Sequence, residues 1–147
     1  MSKPTASSNT PSRVDLLCIE PGSTTARVWP ACKHLIRRAI ERTNLSDFAQ
    51  IERDVLEGRQ LLWLAWNGTT IEAAATTELA IANGTKTCLI VACSGTNRDR
   101  WLHLIEPIEA YAKAEGCSKM RIIGRKAWER VLNGYRAQYA IMEKDFA

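Results

Sequence analysis

The stretch Lys86–Gly116 (KTCLIVACSGTNRDRWLHLIEPIEAYAKAEG) restricts the possible folds more than any other part of the chain. Cys88 to Cys93 is a continuous apolar run with β-branched residues, the pattern of a buried strand. Ser94 and Gly95 break that run. Thr96 and Asn97 suit a helix N-cap, and Trp101, Leu104, Ile105, Ile108 and Ala112 then recur at helical spacing. Gly116 stands where a C′ glycine would close the helix. The spacing predicts a strand, a tight loop and a helix. A second strand-like run, Lys119–Gly124, follows, so the helix is a crossover between parallel neighbours. Such a junction aims backbone N–H groups and the positive end of a helix dipole at one point, which suits an anion. Arg98 and Arg100 sit in the first turn, where cations oppose the dipole unless an anionic ligand joins them.

Composition narrows the function classes. The chain has 147 residues, 46% of them hydrophobic, enough for one domain with its own core. A net charge of +4 suits a small anionic ligand or an acidic partner. No dense basic stripe with interleaved aromatics appears, so nucleic acid is not expected. Arg37, Arg38 and Arg42 cluster around Glu41 and read as a solvated helix face. The five cysteines contain no CxxC pair, and with two histidines no metal site is expected. Odd, apolar-flanked cysteines fit a reducing cytoplasm. No apolar run is long enough to span a membrane.

Residues 1–13 are Ser/Thr/Pro-rich and have no apolar face. They read as a flexible polar arm that contacts another chain, in a homo-oligomer or a larger assembly. Residues 14–147 read as one domain. Val14–Ile19 is a first strand, and a helix ending near Thr43 follows the turn at Pro21-Gly22-Ser23, with Pro30 marking its first turn or a kink. Ser46 is the expected N-cap of a second helix that ends at Gly58. Leu61–Trp66 and Thr70–Ala82 are strands around an Asn67-Gly68 turn, and Asn83-Gly84 turns into the strand that begins near Thr85. Lys126–Leu132 reads as a short helix and Tyr139–Lys144 as a last strand. The order is β-α-α-β-β-β-α-β-α-β. That predicts an α/β (α+β) fold, a mixed and mostly antiparallel sheet of about six or seven strands with helices on both faces.

This order, across residues 14–146, resembles the GNAT N-acetyltransferases. The end of the chain adds to the likeness: Asn133-Gly134-Tyr135 and then Met142-Glu143-Lys144 stand where that family closes with a glycine–aromatic pair and a Met-x-Lys strand. Small GNAT-like proteins of tailed bacteriophages look similar too. The resemblance implies an acyl-CoA-dependent N-acyltransferase using acetyl-CoA, with a small-molecule or protein amine as acceptor. It also implies a CoA loop at Ala92, Cys93, Ser94, Gly95, Thr96, Asn97, Arg98 and Arg100. The loop departs from the family's Gln/Arg-x-x-Gly-x-Gly/Ala pattern. Gly95 is its single glycine, Asp99 is acidic where phosphates would lie, and Trp101 is bulky. Arg130 stands where many members carry an acid tyrosine. Those departures favour a second expectation, a catalytically inactive GNAT-like subunit of a larger assembly such as a phage particle, located in the virion rather than the cytoplasm.

Acetyl transfer needs a base for the amine, a donor for the thioester oxygen and a proton for the departing thiolate. Glu78 is the candidate base, and Glu72, nearer a hairpin, reads as a surface charge. Tyr135 and Tyr139 are the candidate acids. Backbone N–H groups of Ala92 or Cys93 are the candidate oxyanion donors. Cys93 has no His or Asp near it in sequence to activate it as a nucleophile.

Overall fold

The computed structural model describes residues 13–147. The expected polar arm lies outside the described residues except for Arg13, which pairs with Asp15 at 3.0 Å. Five strands form one sheet in the order β1-β2-β3-β4-β5. They are β1 (Asp15–Ile19), β2 (Leu61–Trp66), β3 (Ile71–Ala82), β4 (Thr85–Gly95) and β5 (Lys119–Ile122). The first three pairings are antiparallel, and β4 with β5 is parallel. The mixed, mostly antiparallel sheet agrees with the sequence reading.

Helices cover both faces. On one side α1 (Ser23–Thr43) and α2 (Phe48–Leu56) pack over Leu62, Leu64, Ala74 and Ala92. The buried positions of α1, Thr25, Trp29, Cys32, Ile36 and Ile40, follow helical spacing. Trp29 stacks on Phe48 and donates from Nε1 to Glu52 at 2.7 Å, which ties α1 to α2. On the other side α3 (Arg98–Trp101) and α4 (Ile105–Ala114) lie over Trp63, Ala65, Ala73 and Ala75.

Several expectations need correction, among them the N-cap of α2, which is Asp47 and not Ser46. The sheet has five strands among the described residues, because Tyr139–Lys144 forms no strand. That segment finds no ladder partner, and Tyr139, Ile141 and Met142 are all exposed. The helix from Asn97 is cut in two by a 3₁₀ turn at Leu102–Leu104. Pro107 explains the break, since it cannot donate to the His103 carbonyl one turn back. Pro30 lies within α1 rather than in its first turn. The short helix expected over Lys126–Leu132 is a 3₁₀ helix that ends at Arg130. Gly116 does close α4 in a Schellman motif: Cys117 N–H reaches Ala112 O and Gly116 N–H reaches Lys113 O.

Candidate functional site

Strands β4 and β5 pair only from Thr87↔Lys119 to Ile90↔Ile122. A last bond runs from Ile123 N–H to Ile90 O at 3.3 Å. Beyond it β4 continues for five residues to Gly95, while the chain after β5 turns away. The two parallel strands therefore splay, as a V-shaped opening in the sheet. At the point of separation β4 carries a bulge: Thr76 faces Ala92 but Thr77 faces Ile90, which leaves Val91 as the extra residue. The bulge inverts the alternation, so Ile90 and Cys93 both face α4 while Ala92 faces α1. The opening forms a cleft walled by Val91–Cys93 on one side and Ile122–Arg125 with Trp128 on the other. The end of α1 closes its third side with Arg42 and Thr43. Backbone polar groups of Val91–Gly95 on the β5 side have no strand partner among the described residues.

The loop after β4 is built around Glu72, which the sequence reading places on the surface. The structure buries it, at 8% exposure. Glu72 is itself a bulge residue, since Ala65 faces Ala73 and Trp66 faces Ile71. Its carboxylate accepts from Arg100 Nε at 2.6 Å and Arg100 Nη2 at 2.8 Å, and from Asn67 Nδ2 at 2.8 Å. The hydrogen bonds from Arg100 hold the Glu72 carboxyl below the usual carboxylate range, against the opposing effect of burial. The Glu72 carbonyl accepts the Thr96 N–H at 2.9 Å. Thr96 N–H and two donors of Arg100 are thus engaged inside the fold. Both were expected to face an anion. A long-range partner resolves the charge puzzle in the first turn, with Glu72 as the anion.

Gly95 is needed for its lack of a side chain. A Cβ there would lie 2.5 Å from Ala73 Cβ and 2.7 Å from Ala73 Cα. The missing side chain makes room for strand β3. Asn97 precedes α3 with φ 52° and makes no side-chain cap bond. Trp101 is buried and donates from Nε1 to Thr96 O at 2.7 Å, which stiffens the loop from behind. Arg98 and Asp99 are exposed. Ser94 is buried and donates to the Leu35 carbonyl of α1.

The remaining candidates scatter. Glu78 is half-buried on β3 opposite Leu89 and accepts from Gln60 Nε2 at 3.3 Å; it does not wall the cleft. Tyr135 donates its phenol to Glu109 Oε2 at 2.6 Å. Burial first, and then that carboxylate, push the Tyr135 phenol far above its ordinary value. Tyr139 is 79% exposed and does not wall the cleft. Burial pushes the Cys93 thiol up to about 12, so it carries no thiolate at neutral pH. No group of His, Cys, Asp and Glu among the described residues could hold a metal ion. No helix among them is long and apolar enough to cross a membrane. Arg42, which the sequence reading places on a solvated helix face, and Arg125, which it does not single out, reach the cleft rim. Only the fold brings these two together, 83 positions apart in the chain (125 − 42).

The architecture is similar to that of several solved acetyltransferases. A ribosomal-protein-alanine N-acetyltransferase from Brucella melitensis biovar Abortus 2308 superposes with a TM-score of 0.65 at 11% identity, over 91% of this chain and 99% of that one. A predicted acetyltransferase from Clostridium acetobutylicum, solved with acetyl-CoA, gives 0.63 at 10% identity, over 90% and 96%. An aminoglycoside acetyltransferase from an uncultured soil metagenomic sample, solved with sisomicin, gives 0.62 at 10% identity, over 95% and 97%. At such identities the likeness concerns the fold. No family model and no curated protein matches the sequence.

Proposed function

We propose that this protein is an acyl-CoA-dependent N-acyltransferase that moves an acyl group from a CoA thioester, acetyl-CoA in the simplest case, to the amine of a small molecule or protein. The observation that carries the reading is the splay of β4 from β5 at the Val91 bulge. It exposes a row of backbone groups beside a cleft, at the strand end from which the loop Ser94–Arg98 departs. Such preorganised N–H donors suit a thioester oxygen that gathers charge. The residues present fit the cosubstrate in part. Arg42 and Arg125 on the cleft wall, with the exposed Arg98 in the loop beyond β4, supply positive charge for phosphates. Thr96 and Arg100 support the loop and do not face the ligand.

In the reaction the amine nitrogen bonds to the acyl carbon and the carbon–sulfur bond breaks. The amine's proton passes to a base, and the thiolate leaves with CoA and takes up a proton. Glu78, on the neighbouring strand but off the cleft wall, is the candidate for that base. The backbone N–H of Ala92 or of Cys93 holds the oxygen. Titration calorimetry with acetyl-CoA tests the reading. A dissociation constant in the range of about 1–100 μM supports it. Silence at millimolar ligand overturns it. The engagement of Thr96 and Arg100 by Glu72 favours a second reading, a GNAT-like structural or adaptor subunit without transfer activity. That same silence would support it.

A further inference from the structure

We propose that the transferred acyl group is longer than acetyl, a chain of about three to five carbons, held in an apolar pocket between the sheet and the α3–α4 segment. The inference rests on the acyltransferase reading above.

The cavity has a volume of about 60 Å³ and only apolar side chains in its wall. Ala65, Ala73 and Ala75 form its floor, and Trp63, Trp101 and Ile108 stand around it. The floor is a product of register: Ala65 pairs with Ala73, and Ala75 lies between Trp63 and Cys93 on neighbouring strands. Protein interiors are close-packed, so a void of this size at a sheet–helix interface is unusual. An apolar wall of this kind favours hydrocarbon over water. An ammonium or hydroxyl group would find no partner in it.

Position separates this void from a mere packing defect. Cys93, Ile122 and Trp128 wall both the cavity and the cleft between β4 and β5. The inverted alternation at Val91 is what turns Cys93 towards the cavity. A thioester whose oxygen meets the backbone at Ala92 would direct its chain between Cys93 and Ile122, out of the cleft and into the void. The two-carbon acetyl group would leave most of that space empty. The cavity and the cleft therefore read as one binding site for a short-chain acyl thioester.

The test compares CoA, acetyl-CoA and butyryl-CoA by titration calorimetry on the full chain. Butyryl-CoA should bind about tenfold tighter than acetyl-CoA, from two further buried methylenes. Ala75→Leu, which fills the floor, should bring the two esters to equal affinity while leaving CoA unchanged. Ala65→Val makes the same test with a smaller side chain, and thermal melting selects whichever variant keeps the fold. Equal binding of the two esters by the wild type, with CoA still bound, overturns the long-chain inference alone. A preference that survives both filling variants overturns it too. No binding of CoA or either ester overturns the acyltransferase reading, and this inference with it.

Discussion

Arg100 grips Glu72 with two parallel hydrogen bonds, 2.6 Å from Nε to Oε1 and 2.8 Å from Nη2 to Oε2. This fork binds the first turn of α3 to the bulge in β3, 28 residues earlier. Its pH dependence has a definite sign. The folded state depresses the Glu72 carboxyl below its ordinary 4.5. Its contribution is therefore fully present above that value, and it is lost as pH falls through the depressed one. Wild type should lose melting temperature more steeply than Glu72→Gln between about pH 5 and pH 3. Parallel melting curves for the two proteins across that window would show the fork to be inert.

Gly95 should tolerate no side chain. The methyl of Gly95→Ala would press on Ala73 Cβ at 2.5 Å, and the neighbour is a paired strand that cannot move aside. Overpacking of this kind costs about 1–3 kcal/mol. Denaturant unfolding should report a loss in that range. A change below about 0.5 kcal/mol would mean that β4 shifts freely against β3.

These two residues also show how far the sequence was legible. The strand–loop–helix unit, both antiparallel hairpins and the parallel crossover could be read, because each depends on local periodicity or on turn residues. Asn83-Gly84 turned as its type demands, with φ of 52° and 77°. The same dipeptide at Asn67-Gly68 did not make a two-residue turn. There the Asn67 side chain caps the amides of Thr69 and Thr70 and also reaches Glu72. The bulge at Val91 was invisible, because CLIVAC is apolar throughout and shows no alternation to slip. Glu72 was misread because its partner is distant in sequence. Tyr139–Lys144 has strand composition, but composition alone supplies no edge to pair with.

Tyr135 should prove structural. Its phenol proton is committed to Glu109, and burial with that carboxylate makes it a poor acid. Tyr135→Phe should reduce stability by about 1 kcal/mol, the net worth of a hydrogen bond. Transfer to an amine acceptor should stay within about threefold of wild type. A fall of about a hundredfold, with binding unchanged, would make Tyr135 the general acid after all.

The two loop arginines should separate into different roles. Arg98 is exposed at the start of α3, and Arg100 is held by Glu72. If CoA phosphates approach this loop, Arg98→Ala removes a charge-assisted contact and leaves the fold alone. Its affinity for CoA should fall by about tenfold, the value of a modest charged hydrogen bond, with no change in melting temperature. Arg100→Ala should show the reverse order of effects. It strands the buried Glu72 carboxylate, so the protein should melt several degrees lower. Its loss of affinity would follow from a loosened loop, and it should shrink when binding is measured well below the melting range. Asp99→Gly should tighten CoA by removing a carboxylate from the same rim. Calorimetry and melting on the three variants decide between the roles. Loss of affinity in Arg100→Ala at unchanged stability, with Arg98→Ala silent, would return Arg100 to the ligand and assign Arg98 to solvent.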